Sequence, residues 1–506
     1  MASADTHVPV TDRPPSRAWE DATVGPDPVR PDPGGAPVGK LAAQVARRIE
    51  DDIIRLGWPI GRNLGSEAEL RERYGVSRAV LREAVRLVEH HQVARMRRGP
   101  GGGLLVTAPD AAPASHAMVI YLDHVGTSVD DLMYARQLLE PPAAALAAQR
   151  LTEDGIARLR RTLREEEERG GEPGIWSQNP LHVLLAELSG NPALHLFVQI
   201  LTRLTTWYAH HAQRIPRARA EEAKKLSRHS HGRIVDAVIA GDTGQAQAYL
   251  ADHLDVIADL LRAHRAPDGS PPRLLDARLA GGPGAKMAEV IAARIHDEIA
   301  AAGWPDGRVL GSEADLLARY GISRAVLREA VRLLEYHQIA RMRRGPGGGL
   351  VVTRPEPDAS VDTMALYLDH QGVTGEDLRL VRDAVELGTL RRVTARRADP
   401  EVGARLRAVL ERTAERVAPG VSGADLFHTE LAELSGNPVL SVFSRILTEL
   451  WARHTSTQDQ PLPGAESAAE VERIHRRIME AILDGDESVA HHRMRRHLAA
   501  LTTWYH

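Results

Sequence analysis

The sequence predicts a mainly α-helical protein in which one two-domain unit is written twice, and three observations carry that prediction. Apolar residues recur at helical spacing through most of the 506 residues. Strand signals are confined to two short stretches around Gly99-Pro100-Gly101-Gly102-Gly103 and its later copy. The third observation is a long internal repeat, in which Gly57-Trp58-Pro59 returns as Gly303-Trp304-Pro305, shifted by 246 positions. Over Gly75–Thr107 (GVSRAVLREAVRLVEHHQVARMRRGPGGGLLVT) and Gly321–Thr353 the two copies differ at five positions. Tyr121-Leu122-Asp123-His124 and Ser189-Gly190-Asn191-Pro192 recur at the same shift. Such a period is too long for a solenoid and marks a duplicated protein.

Composition bounds the rest. At 43% hydrophobic and 26% charged residues the chain falls among ordinary folded proteins. No apolar run reaches the roughly 18 residues of a membrane span, and the N-terminus has no apolar signal core, so a cytoplasmic location is expected. The absence of cysteine excludes disulfides, thiolate metal sites and thiol nucleophiles. A net charge of −4 gives no global sign of a nucleic-acid partner, so that reading must rest on local clustering. With 4% aromatics, a single-strand stacking platform is disfavoured. Only Lys40, Lys224, Lys225 and Lys286 of the 64 basic residues are lysines, so the spacing of the arginines matters more than their presence. The expected division is a disordered arm over 1–37, small domains over 38–108 and 285–354, and larger domains over 114–265 and 360–506. A flexible linker over 266–284 joins the copies, and Pro-marked joints at Ala108–Pro113 and Arg354–Pro357 separate small from large.

In the small domain, Leu41, Val45, Ile49, Ile53 and Ile54 mark a first amphipathic helix. Ser66 with Glu69 forms a capping box that opens a second helix, Glu67 to Tyr74, and Ser312 with Asp315 does the same in the second copy. Gly75 permits a tight turn, and Ser77 caps a third helix. On that helix Leu81, Ala84, Val85 and Val88 form the buried stripe, whereas Arg78, Arg82 and Arg86 step by four along another face. Val93–Arg98 and Leu104–Thr107 read as two strands of a wing whose tip carries no side-chain bulk, with Arg95, Arg97 and Arg98 beside it. Six arginines against Glu83 and Glu89 give Gly75–Thr107 a local charge of +4. Helix, turn, arginine-bearing helix and basic wing make a winged helix-turn-helix suited to the major groove of duplex DNA. The candidate contacts are Ser77, Arg78, Arg82, Arg86, Arg97 and Arg98, and in the second copy Ser323, Arg324, Arg328, Arg332, Arg343 and Arg344.

The large domains read as helical bundles. Gly241-Asp242 stops one helix and caps the next, and His231 and His253 each lie eleven residues from Asp242, at one height on a helical hairpin. His475 and His497 repeat this about Asp486. His182 and His428 precede the Ser-Gly-Asn-Pro break by one interval in both copies. Without cysteine, each histidine triple suggests one divalent metal ion of zinc or nickel type per helical domain.

The run Ser66-Glu67-Ala68-Glu69-Leu70, Gly75-Val76-Ser77-Arg78, Leu81-Arg82-Glu83-Ala84 to Gly101 and Val106 resembles the winged helix of GntR-superfamily transcriptional regulators, and of the FadR subfamily in particular. The larger domains resemble the FCD effector-binding domain of the same subfamily. This resemblance implies DNA contacts at Arg78, Arg82, Arg324 and Arg328, while Ala68 and Ala314 stand where the family places a further arginine. It also implies a metal held by three His and an Asp, with a small carboxylate effector beside it. The Asp position, four before the first His, holds Gln178 in one copy and Ala424 in the other, with Asp425 one residue late as its substitute. Arg136 with Glu140 and Arg382 with Glu386 match a family pair, readable as a mutual ion pair or as a carboxylate clamp through Arg136, Gln178 and Arg382. The expectation is a non-enzymatic regulator, an intrachain pseudo-dimer that reads an inverted repeat in a double-stranded operator, with further self-association left open. A metal-dependent hydrolase tethered to DNA and a ligand-free architectural binder are the alternatives.

Overall fold

The computed structural model describes residues 38–99, 101–168, 180–211, 217–263, 287–336, 339–343, 345, 347–415, 423–457 and 465–501. The expected arm (1–37) and linker (266–284) lie outside them, as do Gln178, Arg344 and the side chain of Asp425. The chain divides into two compact units, residues 1–107 and 108–506.

In the first unit, α1 (Val38–Arg55), α2 (Glu67–Tyr74) and α3 (Arg78–His90) precede the strands β1 (Ala94–Arg97) and β2 (Gly103–Val106). The capping box is formed: Ser66 Oγ accepts from the Glu69 amide and the Glu69 carboxylate accepts from the Ser66 amide. Gly75 ends α2 at φ 63°, a left-handed turn that a side chain would strain. Ala42, Val45, Ile49 and Ile53 of α1 are buried with Leu81, Ala84, Val85 and Val88 of α3. Leu41 and Ile54 are only half-buried. Each strand begins one residue away from the sequence-based expectation, because the ladder is set by Ala94 opposite Val106 and Arg97 opposite Gly103. Gly102 closes the tip so tightly that a Cβ there would run into the carbonyl of Arg97.

The second unit holds the first bundle, the second winged helix and the second bundle. The first bundle comprises α4 (Ala111–His124), α5 (Val129–Arg150), α6 (Glu153–Glu168), α7 (Pro180–Leu188), α8 (Pro192–His211), α9 (Arg217–Ile239) and α10 (Thr243–Ala263). The second winged helix follows as α11 (Met287–Ala301), α12 (Glu313–Tyr320), α13 (Arg324–Tyr336), β3 (Ala340–Arg343) and β4 (Gly349–Val352). The second bundle is α14 (Asp358–His370), α15 (Gly375–Ala395), α16 (Pro400–Glu415), α17 (Gly423–Leu434), α18 (Pro438–Thr457), α19 (Ala465–Asp484) and α20 (Glu487–Leu501). The joint expected at Ala108–Pro113 is shorter than the sequence suggests. Asp110 caps α4 by accepting from the Ala112 amide, and Pro113 falls in the first turn, where a missing N–H costs nothing. No described helix is long and apolar enough to cross a membrane.

One continuous core runs through the first bundle, the second winged helix and α14, α15 and α18. A separate core fills the far half of the second bundle, around Leu390, Phe427, Ile478 and Met494. The two bundles meet through matching contacts. Phe197 and Phe443 stack with centroids 4.0 Å apart and planes 7° from parallel. Asn191 Nδ2 donates to the Asp377 carbonyl at 3.0 Å, and Asn437 Nδ2 donates to the Asp131 carbonyl at 3.0 Å. The same asparagines cap α8 and α18 through their Oδ1 atoms, so one side chain starts a helix and ties the copies together. The end of α4 also packs on the second winged helix: the indole of Trp304 (φ 51°) takes the ring of His124 edge-on at 4.9 Å and that of His296 at 5.3 Å.

Candidate nucleic-acid interface and metal centres

On α3, Arg78, Arg82 and Arg86 are exposed and follow one another up the helix, opposite the buried stripe. Ser77 caps the helix by accepting from the Val80 amide. Arg78 is paired with Glu67 at 2.5 Å and Arg86 with Glu83 at 2.5 Å. These exposed pairs are weak and can exchange for phosphate or base contacts at little cost. Arg82 lies between them. In the second winged helix Arg324, Arg328 and Arg332 are exposed in the same way, with Arg324 3.6 Å from Glu313 and Arg332 3.3 Å from Glu329. On the wings, Arg97 and Arg343 brace the tips by donating to the carbonyls of Gly101 and Gly347, while Arg98 is exposed. Ser323 caps α13 through the Val326 amide.

Each bundle draws its three histidines together. In the first, His182 of α7, His231 of α9 and His253 of α10 are buried, and the Nε2 of His253 lies 3.3 Å from that of His182 and 3.1 Å from that of His231. In the second, the Nε2 of His497 lies 3.2 Å from that of His428 and 3.0 Å from that of His475. Ligands about 2.0–2.1 Å from a tetrahedral zinc ion stand roughly 3.3 Å apart, and octahedral neighbours about 2.9 Å apart. The observed spacing falls at or between these values, so each cluster can hold a metal ion.

The outer ring nitrogens set which atom faces inward. His182 Nδ1 is 2.6 Å from Glu140 Oε2, and His231 Nδ1 is 2.8 Å from Glu166 Oε2. A proton held on Nδ1 by a carboxylate leaves the Nε2 lone pair directed at the centre, the usual support for a metal-bound imidazole. Burial pushes the His182 and His253 imidazoles below their ordinary value, for His253 with the help of the neighbouring rings, so both favour the neutral form that ligates. Burial also lowers His428 and His475, and takes His497 down to about 3.

The copies differ at the carboxylate beneath. Arg136 is buried, bonded to Glu140 through Nε at 2.5 Å and to Thr205 Oγ1 at 3.2 Å. Burial alone would raise Glu140, but Arg136 and His182 hold it down at about 2. In the second copy Trp451 replaces Thr205, and the Arg382 guanidinium sits over its ring at 5.4 Å. Arg382 Nε is then 3.9 Å from Glu386, and burial pushes that carboxyl up to about 7. His428 Nδ1 comes within 3.0 Å of Glu386 but out of hydrogen-bond alignment. At the position matching Glu166 the second copy carries Arg412. The six histidines and both Arg–Glu pairs that converge here stand out in the sequence, whereas Glu166 and Thr205, which approach from other helices, do not.

The model of the FCD domain matches residues 131–256 and 377–500. The model described as bacterial regulatory proteins, gntR family, matches residues 41–103 and 287–350. The chain belongs to the gntR family of bacterial regulatory proteins. It is a GntR-type transcriptional regulator with FCD effector-binding domains, both modules present in tandem. The regulator is 27% identical over 220 residues to the Uxu operon regulator of Haemophilus influenzae, a match that covers 43% of this chain and 80% of that one. It is 28% identical to the transcriptional regulator LutR of Bacillus subtilis, over 40% of this chain and 93% of that one. To the transcriptional repressor NanR of Cronobacter sakazakii it is 26% identical, over 43% and 84% respectively. Each relative is thus matched by less than half of this GntR-type regulator.

Proposed function

We propose that the regulator is an intrachain pseudo-dimer that carries two copies of one DNA reader and places them on an inverted repeat in an operator. The observation that carries this reading is the exposed arginine row, Arg78, Arg82 and Arg86 on one helix and Arg324, Arg328 and Arg332 on the other, each beside a basic wing. Arg82 and Arg328, at the centre of each row, are assigned to base edges in the major groove, and Arg97, Arg98, Arg343 and Arg344 to the backbone. The bundles, joined through Phe197–Phe443 and the two asparagine bonds, act as the dimerisation module.

Each bundle holds one divalent ion of zinc or nickel type through its three Nε2 atoms, and a small carboxylate effector completes the site. When bound, the ion supplies an anchor for the effector's carboxylate. His182, His231 and His253, or His428, His475 and His497, would hold it, with Asp425 assigned to the second metal and Gln178 to the effector. Arg136 acts as a positioning residue for Glu140 and His182, since its donors are occupied. Arg382, drawn off Glu386, is the better effector clamp. The contact of α4 with Trp304 gives the first bundle a route to the second reader. A regulatory rather than hydrolytic role is supported because Glu140 and Glu166 lie on the Nδ1 side of the imidazoles, where a general base has no access to metal-bound water. In a mobility-shift series, Arg82→Ala with Arg328→Ala is expected to abolish preference for the operator over random duplex; unchanged preference overturns the groove assignment.

A further inference from the structure

We propose that the first bundle carries a second ligand site, separate from its imidazole cluster, that takes a small hydroxylated organic anion. A cleft of about 550 Å³ opens between α6, α7 and α8, within the size range of small-molecule pockets. Arg158, Arg161 and Arg203 line it, against Glu165 and Glu187. Arg158 is engaged by Glu187 at 2.6 Å, and Arg203 reaches the Ala112 carbonyl at only 3.5 Å, a weak bond that a ligand can replace. Arg161 is exposed at the mouth. Thr162, Thr202 and Thr206 add hydroxyls that both donate and accept.

Thr202 is the decisive residue. It is 6% exposed, lines the cleft, and its Oγ1 has no hydrogen-bond partner. A buried hydroxyl left unsatisfied costs about 1–3 kcal/mol; Thr202 Oγ1 is shut off from the cleft in this conformation, and a turn about χ1 brings it to a hydroxylated ligand that removes the penalty. Guanidiniums recognise carboxylate or phosphate, and the threonines recognise the hydroxyls beside it. None of the three imidazoles lines the cleft. The second copy keeps its imidazoles, and Arg407 and Thr448 match Arg161 and Thr202, but the rest of the lining is lost: Ala404, Ala408, Glu449 and Ala452 stand where the first has Arg158, Thr162, Arg203 and Thr206. Ligand capture here would therefore act on one bundle only, and through Arg203 it touches the first turn of α4.

The test is calorimetric titration of the full chain with gluconate and with glycerol 3-phosphate, with glucose, butyrate and inorganic phosphate as controls. Each titration is run with added zinc and with chelator. The expected result is binding of at least one hydroxylated anion, tighter than any control and independent of zinc. Thr202→Val and Arg161→Ala should each weaken it about ten-fold or more, a change of about 1.4 kcal/mol. Binding of neither anion, binding no tighter than the controls, or binding that survives both substitutions overturns the proposal. Binding that needs zinc places the anion at the imidazoles instead and also overturns it, without touching the operator reading.

Discussion

Phe443→Ala tests how the two bundles hold each other. Phe443 is fully buried and its ring lies on that of Phe197, itself fully buried and 246 positions earlier. Removing a buried phenyl ring costs about 3–5 kcal/mol in lost burial and residual cavity. The stacked pair adds about 0.5–1.5 kcal/mol beyond burial. Urea unfolding followed by circular dichroism reports this if the two compact units, 1–107 and 108–506, melt separately. Only the transition of the larger unit should move. With a slope of about 4 kcal/mol per molar urea, above the range for small domains as its size requires, the midpoint should fall by about 1 M. Phe197→Ala should behave alike. The double variant should cost less than the two singles together, by about 0.5–1.5 kcal/mol, because the pair term is lost only once. A midpoint that does not move, or strict additivity, would refute a shared interface through these rings.

Other consequences are equally checkable. Asn191→Asp retains the oxygen that caps α8 but loses the donor to Asp377, so it should cost about 1–3 kcal/mol in the same unfolding transition; no cost would mean the cross-copy bond is idle. Glu166→Gln should weaken zinc binding by about 10–100-fold in a chelator competition, since His231 loses the carboxylate that orients it. Burial pushes Asp123 up to about 8, so the folded state keeps its proton where the unfolded chain, titrating near 3.8, has lost it. Stability should then fall as pH rises from about 4 to 8, and Asp123→Asn should flatten that decline, measured by thermal melts across the range. Arg98→Ala should lower the salt dependence of DNA binding by about 0.9 in the log–log slope and leave the preferred sequence unchanged.

The winged helices were legible in the sequence because their signals are local. Ser66–Glu69, Gly75 and Ser77 act within a turn or two, and the stripe from Leu81 to Val88 fixes which face the arginines occupy. Strand ends were less legible, since Gly103 enters the ladder only through its pairing with Arg97. His231 and His253 could be matched because a helical hairpin turns equal spacing from Asp242 into equal height. Glu166 could not, because its helix approaches the pocket from elsewhere and the run Glu165–Glu168 carries no phase of its own. Thr205 and Trp451 were equally hidden: the exchange shows in the sequence, but its effect on Arg136 and Arg382 depends on tertiary packing. Asn191 and Asn437 show in the sequence only as part of a repeated helix break, whereas their bonds to the opposite copy need both bundles in place.

The most direct measurement of the central claim is selection of bound sequences from a randomised duplex library by the full chain, with the stoichiometry of the recovered complex. The expected result is one half-site motif enriched in inverted duplicate and occupied by a single polypeptide. Enrichment of a lone, unrepeated motif, or recovery of no motif above the starting library, would contradict it.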